Sequence, residues 1–283
     1  MPPIASLMPL MVAAVREAGT AVMRYFTPGV ALDARDRLAD KGLNNPLTRA
    51  DLEADRILHQ RLMGATPDYG WLSEESADDA VRLGRRRLWV VDPIDGTREF
   101  ILGVPQFAVS VGLVEDGAAV AGCVYNPARG EMFTAVQGGG AYLDGAPIQV
   151  SGRRVLQGAA CLSSHSETRR GEWEPFRHLF ALTPMGSIAY KLALVAQGHV
   201  DLTFTLTPKS EWDICAAAVL VREAGGVVLD KFGHPLRFNQ AVPKTSSVVA
   251  CNVPLQQALL ALLEPYPLMP DRHRTPTPAG DAA

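Results

Sequence analysis

The chain has 283 residues, a net charge of −3, 47% hydrophobic and 20% charged content. That length suits one large domain or two subdomains sharing a core, and the composition is that of a soluble globular protein. No basic field points to a nucleic-acid polymer or an anionic membrane as partner. Cys123, Cys161, Cys215 and Cys251 are scattered without a C-x-x-C pair. They read as buried thiols in a reducing compartment, and no Cys/His spacing suits zinc.

The first predicted element is a helix over 4–25. Ile4, Leu7, Met8, Met11, Val12 and Val15 keep the i, i+3, i+4 rhythm of an amphipathic helix. The absence of a basic n-region argues against a signal peptide, and no apolar run is expected to reach membrane-spanning length. The expected location is cytoplasmic. The segment ALDARDRLADKGLNNPL reads as a polar, mobile loop. A second helix starts near Thr48 and carries Leu52, Ile57, Leu58 and Leu62. Arg85-Arg86-Arg87 reads as a solvated loop.

From Leu88 the texture becomes that of strands. Phe107, Val109, Val111 and Leu113 alternate with small residues, Glu115-Asp116-Gly117 turns, and strands follow over 118–124 and 131–136 before the Asp144-Gly145 hairpin. This is an antiparallel meander. After about residue 150 helices are expected over 172–181, 187–197, 211–224 and 254–263, and strands over 158–163, 200–205, 226–230 and 246–251. The division is an N-terminal α+β subdomain over 1–150, a C-terminal α/β subdomain over 151–264 and a disordered Pro-rich tail over 265–283.

The chemistry gathers around Trp89–Phe100, WVVDPIDGTREF. Asp92 ends a buried-type strand. Pro93 suits position i+1 of a tight turn with Asp92 at i and Asp95 at i+3, which brings the ends within about 7 Å. Two carboxylates that close repel unless a cation lies between them. Each acid has an ordinary alternative role, one as a turn residue and the other as a helix cap. Thr48-Arg49-Ala50-Asp51 and Ser210-Glu211-Trp212-Asp213 both read as capping boxes. Leu72-Ser73-Glu74-Glu75-Ser76 adds an acidic pair. Taken together, ligands that are all oxygen favour Mg²⁺ or Mn²⁺. Helix starts near Gly96 and Asp213 favour phosphate. Metal-assisted hydrolysis of a phosphate ester follows. An aspartyl-phosphate mechanism does not fit, because the spacing is D-x-x-D-G-T rather than D-x-D-x-T.

DPIDGT, the upstream SEES and the downstream WDICAAAVLVREAGG resemble the signatures of the inositol monophosphatase superfamily, a match running over nearly the whole chain. The resemblance implies an α/β (α+β) fold layered αβαβα, as in the fructose-1,6-bisphosphatase-like sugar phosphatases. It also implies a Mg²⁺-dependent, Li⁺-sensitive phosphomonoesterase and a homodimer. By this resemblance Glu74, Asp92 and the Ile94 carbonyl hold one Mg²⁺, and Asp92, Asp95 and Asp213 hold a second. Asp51 reaches a weaker third through water. Thr97 with Asp51 or Glu74 orients the attacking water, and the Gly96 and Thr97 amides grip the phosphate.

Three stretches resemble the CysQ-type bisphosphate nucleotidases. They are Asn45–Asp51 (NPLTRAD), Gly186–Lys191 (GSIAYK) and Pro208–Asp213 (PKSEWD). The Gly-to-Lys stretch is one residue longer than in that type. Gly186, Ser187 and Lys191 then join Asp95, Gly96, Thr97 and Asp213 as substrate-binding candidates. Lys191 can pair a second phosphate or be an exposed helix lysine. Tyr190 and Trp212 are candidates for an adenine platform or for core packing. The expected substrate is a small phosphate ester: adenosine 3′,5′-bisphosphate first, inositol 1-phosphate or histidinol phosphate as alternatives. A non-catalytic, partner-binding protein on this fold is the alternative of another class.

Overall fold

The computed structural model describes residues 1–40 and 46–271, so the Asn45 end of the CysQ-like segment and the tail beyond 271 lie outside the described residues. Helix α1 (Met8–Met23) buries Met11, Ala14, Val15, Ala18 and Val22. With the preceding turn it forms a 20-residue stretch, Ile4–Met23, of mean hydropathy 1.2. That is long and apolar enough to cross a membrane, contrary to the sequence expectation. Here its apolar stripe packs on α2 (Arg49–Ala65) and the neighbouring sheet. The expected mobile loop between the two helices contains a hairpin of β1 (Arg37–Asp40) and β2 (Pro46–Thr48).

The first sheet runs in order β3 (Gly70–Ser73), β4 (Arg87–Asp95), β5 (Ala108–Glu115), β6 (Ala118–Asn126), β7 (Glu131–Val136), β8 (Gly140–Leu143) and β9 (Ala146–Pro147). A short helix α3 (Thr97–Ile101) follows β4. All pairings are antiparallel except β3 with β4. The meander read from the sequence is therefore present, extended by β3. Arg87 belongs to β4 and is buried, bonded to Glu115, Tyr69 and the Pro2 carbonyl. It is not in the solvated loop its arginine run suggested.

The second half contributes β10 (Ala159–Ser164), α4 (His165–Arg169), β11 (Phe180–Met185), α5 (Ile188–Ala196), β12 (Leu202–Thr205), β13 (Lys209–Ser210), α6 (Glu211–Glu223), β14 (Gly226–Leu229), β15 (Lys244–Thr245), β16 (Val248–Asn252) and α7 (Val253–Leu263). Its main sheet has the order β11-β10-β12-β16-β14. The helix expected over 172–181 is absent. Trp173, Phe176 and Phe180 have helical spacing, but Pro175 prevents a helix from running through from 172, and the stretch forms a 3₁₀ turn over Glu174–Phe176 and the edge strand β11 over 180–185. The aromatics instead pack together with Phe204 and Tyr266. Residues 265–271, grouped above with a disordered tail, are held in place: the Met269 amide donates to the Leu206 carbonyl at 2.8 Å, and Lys244 pairs with Asp271 at 2.6 Å.

Three apolar cores alternate with the two sheets. One joins α1 and α2 to the first sheet, the second joins that sheet's other face to α5 and α6, and the third lies between the second sheet and α7. This is the αβαβα layering. Helix α6 sits unusually near β6: a Cβ on Gly122 would lie 2.1 Å from the Ala216 carbonyl oxygen. The run Ala216-Ala217-Ala218 keeps that contact thin and carries the start of α6 to the end of β4.

Candidate active site

Residues three apart on a regular strand face opposite sides of a sheet. Asp92 and Asp95 escape this through a bulge. Asp92 pairs with Ser110 and Asp95 with Ala108, so three steps on β4 match two on β5. The extra residue returns Asp95 to the face of Asp92. The motif is thus a bulged strand end, not the tight turn its Pro93 suggested. Ile94 is buried, and its amide donates to Asp92 Oδ1 at 3.0 Å.

Glu74, just past β3, and Asp213, in the first turn of α6, converge on Asp92. One oxygen from each of the three lies within 4.8 Å of the others. Burial first, then the Glu74, Asp95 and Asp213 carboxylates, push Asp92 well above the usual carboxylate range. Burial, then Asp95 and Glu74, do the same to Asp213. Asp95 is pushed up to about 6 by burial, opposed by bonds from Ser187 and Ala189 and by the charge of Lys191. Buried like charges of this kind are stabilised by a cation, and an all-oxygen donor set fits Mg²⁺ or Mn²⁺. The Ser210 side chain makes no cap bond, and its backbone N–H donates to Asp213, so only half of the expected capping box forms.

The box at Thr48 is complete, and it aims Asp51. Asp51 Oδ2 accepts the Thr48 amide at 2.8 Å and the Thr48 hydroxyl at 2.5 Å, while Oδ1 lies 3.4 Å from the Thr97 hydroxyl. Thr97 donates to the Ile94 carbonyl at 2.9 Å. Gly96 caps α3 at φ +97°, where a Cβ would also lie 2.7 Å from the Gln106 carbonyl oxygen, so only glycine fits.

Asp95 is anchored, and stands outside the group formed by Glu74, Asp92 and Asp213. Its Oδ2 accepts the Ser187 hydroxyl and the Ala189 amide, both at 2.6 Å, at the start of α5. The Ser187 hydroxyl is therefore committed to Asp95, and its oxygen also accepts the Tyr190 amide. Gly186 lies against Glu99. Lys191 is only 4% exposed and lines the cleft, and its side chain makes no hydrogen bond or ion pair with the described residues. It is not an exposed helix lysine. Tyr190 is core, packed on Phe133 and bonded to Glu131, which removes it as an adenine platform. Trp212 does line the cleft.

The cleft has a volume of about 340 Å³, with the carboxylates joined by Arg98, His165, Arg169, Lys209 and Lys244. Lys209 lies in the PKSEWD stretch and Arg98 in WVVDPIDGTREF, whereas no sequence signal marked His165, Arg169 or Lys244. Such a bipolar cleft suits an anion delivered to a cation site.

Fold and site together define a phosphatase of the layered αβαβα type. The chain belongs to the inositol monophosphatase family, which it matches over residues 5–267. An inositol-1-monophosphatase of Mesorhizobium japonicum is 37% identical over 263 residues, covering 90% of this chain and 95% of that one. The extragenic suppressor protein suhB of Bartonella henselae superposes with a TM-score of 0.80 at 32% identity, covering 92% of this chain and 99% of that one. CysQ of Bacteroides thetaiotaomicron, described as a bacterial member of the family, gives 0.72 at 28%, covering 88% and 98%. These likenesses do not single out the CysQ type that the sequence favoured.

Proposed function

We propose that the chain is a Mg²⁺-dependent phosphomonoesterase. The observation that carries this reading is the convergence of Glu74, Asp92 and Asp213, with Asp95 beside them, in a cleft rimmed by cationic side chains. Glu74, Asp92, Asp95, Asp213 and the Ile94 carbonyl would hold two ions, and Asp51 would reach a third through water. Bound Mg²⁺ supplies charge neutralisation for the phosphoryl oxygens and makes water a nucleophile near neutral pH. Thr97 and Asp51 position that water, and the Gly96 and Thr97 amides face the phosphate. Li⁺ inhibition belongs to the same reading.

Inositol 1-phosphate is the first substrate, supported by the similarity to the Mesorhizobium protein. Adenosine 3′,5′-bisphosphate is a second reading, favoured by the buried Lys191 on the cleft wall. The test is kcat/KM for both, and for histidinol phosphate, with Mg²⁺ and with added Li⁺. Preference for the inositol ester supports the first reading, and preference for the bisphosphate the second. No phosphate release from any ester would sink both and leave a partner-binding role.

A further inference from the structure

Two of the three converging carboxylates stand at the ends of elements rather than within the paired sheet. Asp92 is fixed in the sheet by β5, whereas Glu74 begins the connection from β3 to β4, and Asp213 rides on the start of α6. The three repel one another until a cation is bound. The Glu74 amide donates to the Val91 carbonyl at 3.2 Å, which holds it to β4; a tie between the β3–β4 connection and the start of α6 would fix Asp213 against it.

The structure contains such a tie. Arg82, in the 3₁₀ turn Ala80–Gly84, is 2% exposed. Its guanidinium binds Asp78 in bidentate fashion at 2.6 and 2.9 Å, then donates to Asn239 Oδ1 at 2.7 Å and to the Gln240 carbonyl at 2.9 Å. Asn239 Nδ2 donates back to the Arg82 carbonyl at 3.1 Å. The amides of Asn239 and Gln240 both point the other way. They donate to the two oxygens of Glu211 at 2.7 and 2.9 Å. Glu211 is the first residue of α6, 1% exposed, and its own amide is held by the Pro243 carbonyl at 2.9 Å. A continuous path thus runs from the β3–β4 connection through the 239–240 turn to a residue two places before Asp213.

We infer that Arg82, Asn239 and Glu211 form a clasp that positions Glu74 and Asp213 for cation binding. The inference rests on the metal-site reading above. The planar fork of arginine suits it, because four donor contacts on one rigid group fix the relative position of two segments. These are positioning residues and touch neither substrate nor the reacting atoms.

Charge gives a discriminating sign. Removing a positive side chain near a cation site tightens cation binding by Coulomb's law. Removing a clasp weakens it. The test is calorimetric titration of the full chain with Mn²⁺, alongside thermal melts. Arg82→Gln and the neutral Asn239→Gly, which keeps the left-handed φ of +61° accessible, are expected to raise the Mn²⁺ Kd about tenfold, an ordinary coupling between sites. At saturating Mn²⁺ their kcat should stay near that of the unaltered chain. Arg87→Gln is the control. It removes an equally buried arginine at the opposite end of β4, and should lower Tm without moving the Kd. An unchanged or tighter Kd in both clasp variants overturns the inference, and Asn239→Gly alone decides it should Arg82→Gln fail to fold. No Mn²⁺ binding by the unaltered chain overturns the metal-site reading itself, and the inference with it.

Discussion

Asp95 and Ser187 lie 92 positions apart in sequence and are joined by a hydrogen bond of 2.6 Å. That bond ties the bulged end of β4 to the start of α5. Ser187 also holds φ +56°, a strained value for a non-glycine residue. Ser187→Ala should lower kcat/KM about tenfold, the size of a lost bond to a charged group. Ser187→Gly should lose the same activity and melt at a higher temperature than the alanine variant, because the backbone strain is relieved. Wild-type kcat/KM in both variants would show that the bond does not position Asp95.

Asp92→Asn should reduce phosphate release by at least about a hundredfold while leaving the fold intact. The pH dependence of the chelated protein follows from the raised carboxylates. The folded chain holds protons that the unfolded chain has already released. The stability this gives is fully present below the ordinary carboxylate range. It is lost as pH rises through about 6 for Asp95 and through the strongly raised values of Asp92 and Asp213. In chelator, Tm should therefore be higher at pH 5 than at pH 8, and the Asp92→Asn variant should show a shallower slope. A steeper slope would contradict the assignment.

The hydroxyl of Thr97 bridges the Ile94 carbonyl and Asp51. Thr97→Val should lower kcat about a hundredfold, a typical cost of losing a group that handles a proton, with KM little changed. Thr97→Ser should stay within about fivefold, since the hydroxyl remains. Equal activity of the two variants would remove Thr97 from water positioning.

Gly122 faces the Ala216 carbonyl with no room for a side chain. Gly122→Val should cost about 3 kcal/mol or more through overpacking, read from denaturant unfolding. Activity should fall with it, because α6 carries Asp213. A Gly122→Val protein of normal stability would show that α6 can slide.

Lys191→Gln reports on the substrate. If a second phosphate sits near it, kcat/KM for the bisphosphate should drop about tenfold more than for inositol 1-phosphate, the worth of one charge-assisted bond. Equal effects on both esters would place Lys191 behind the site rather than in contact with substrate.

The acidic motifs and the meander are legible from sequence because their signals are local. Alternation marks β5 to β7, and DPIDGT lies within one strand end. Even so, the geometry of that motif was not legible. Proline suggested a turn, whereas pairing with Ser110 and Ala108 makes a bulge. The stretch expected as a helix over 172–181 forms a 3₁₀ turn and an edge strand, and its aromatics are placed by Phe204 and Tyr266, which lie far away in sequence. Arg98 on α3, His165 and Arg169 on α4 and Lys244 on β15 reach the cleft from three elements, so no single window of sequence contains them all. Of the three stretches that favoured the CysQ type, one ends in Lys191. Its burial was not visible, since all nine residues of α5 are buried and the helix lacks a polar face to betray its orientation.

Helix α6 serves two sheets. It covers β4 to β8 of the first and packs on β14 of the second. Residues 1–150 made alone would present a broad apolar sheet face to water, and residues 151–264 alone would leave the face of α6 that covers the first sheet bare. We expect neither fragment to be soluble by itself, and the two co-expressed to reassemble. A seam near residue 150 in sequence is then expected to be no seam in folding. Recombination of this chain with a relative should succeed when α6 and the first sheet come from the same parent.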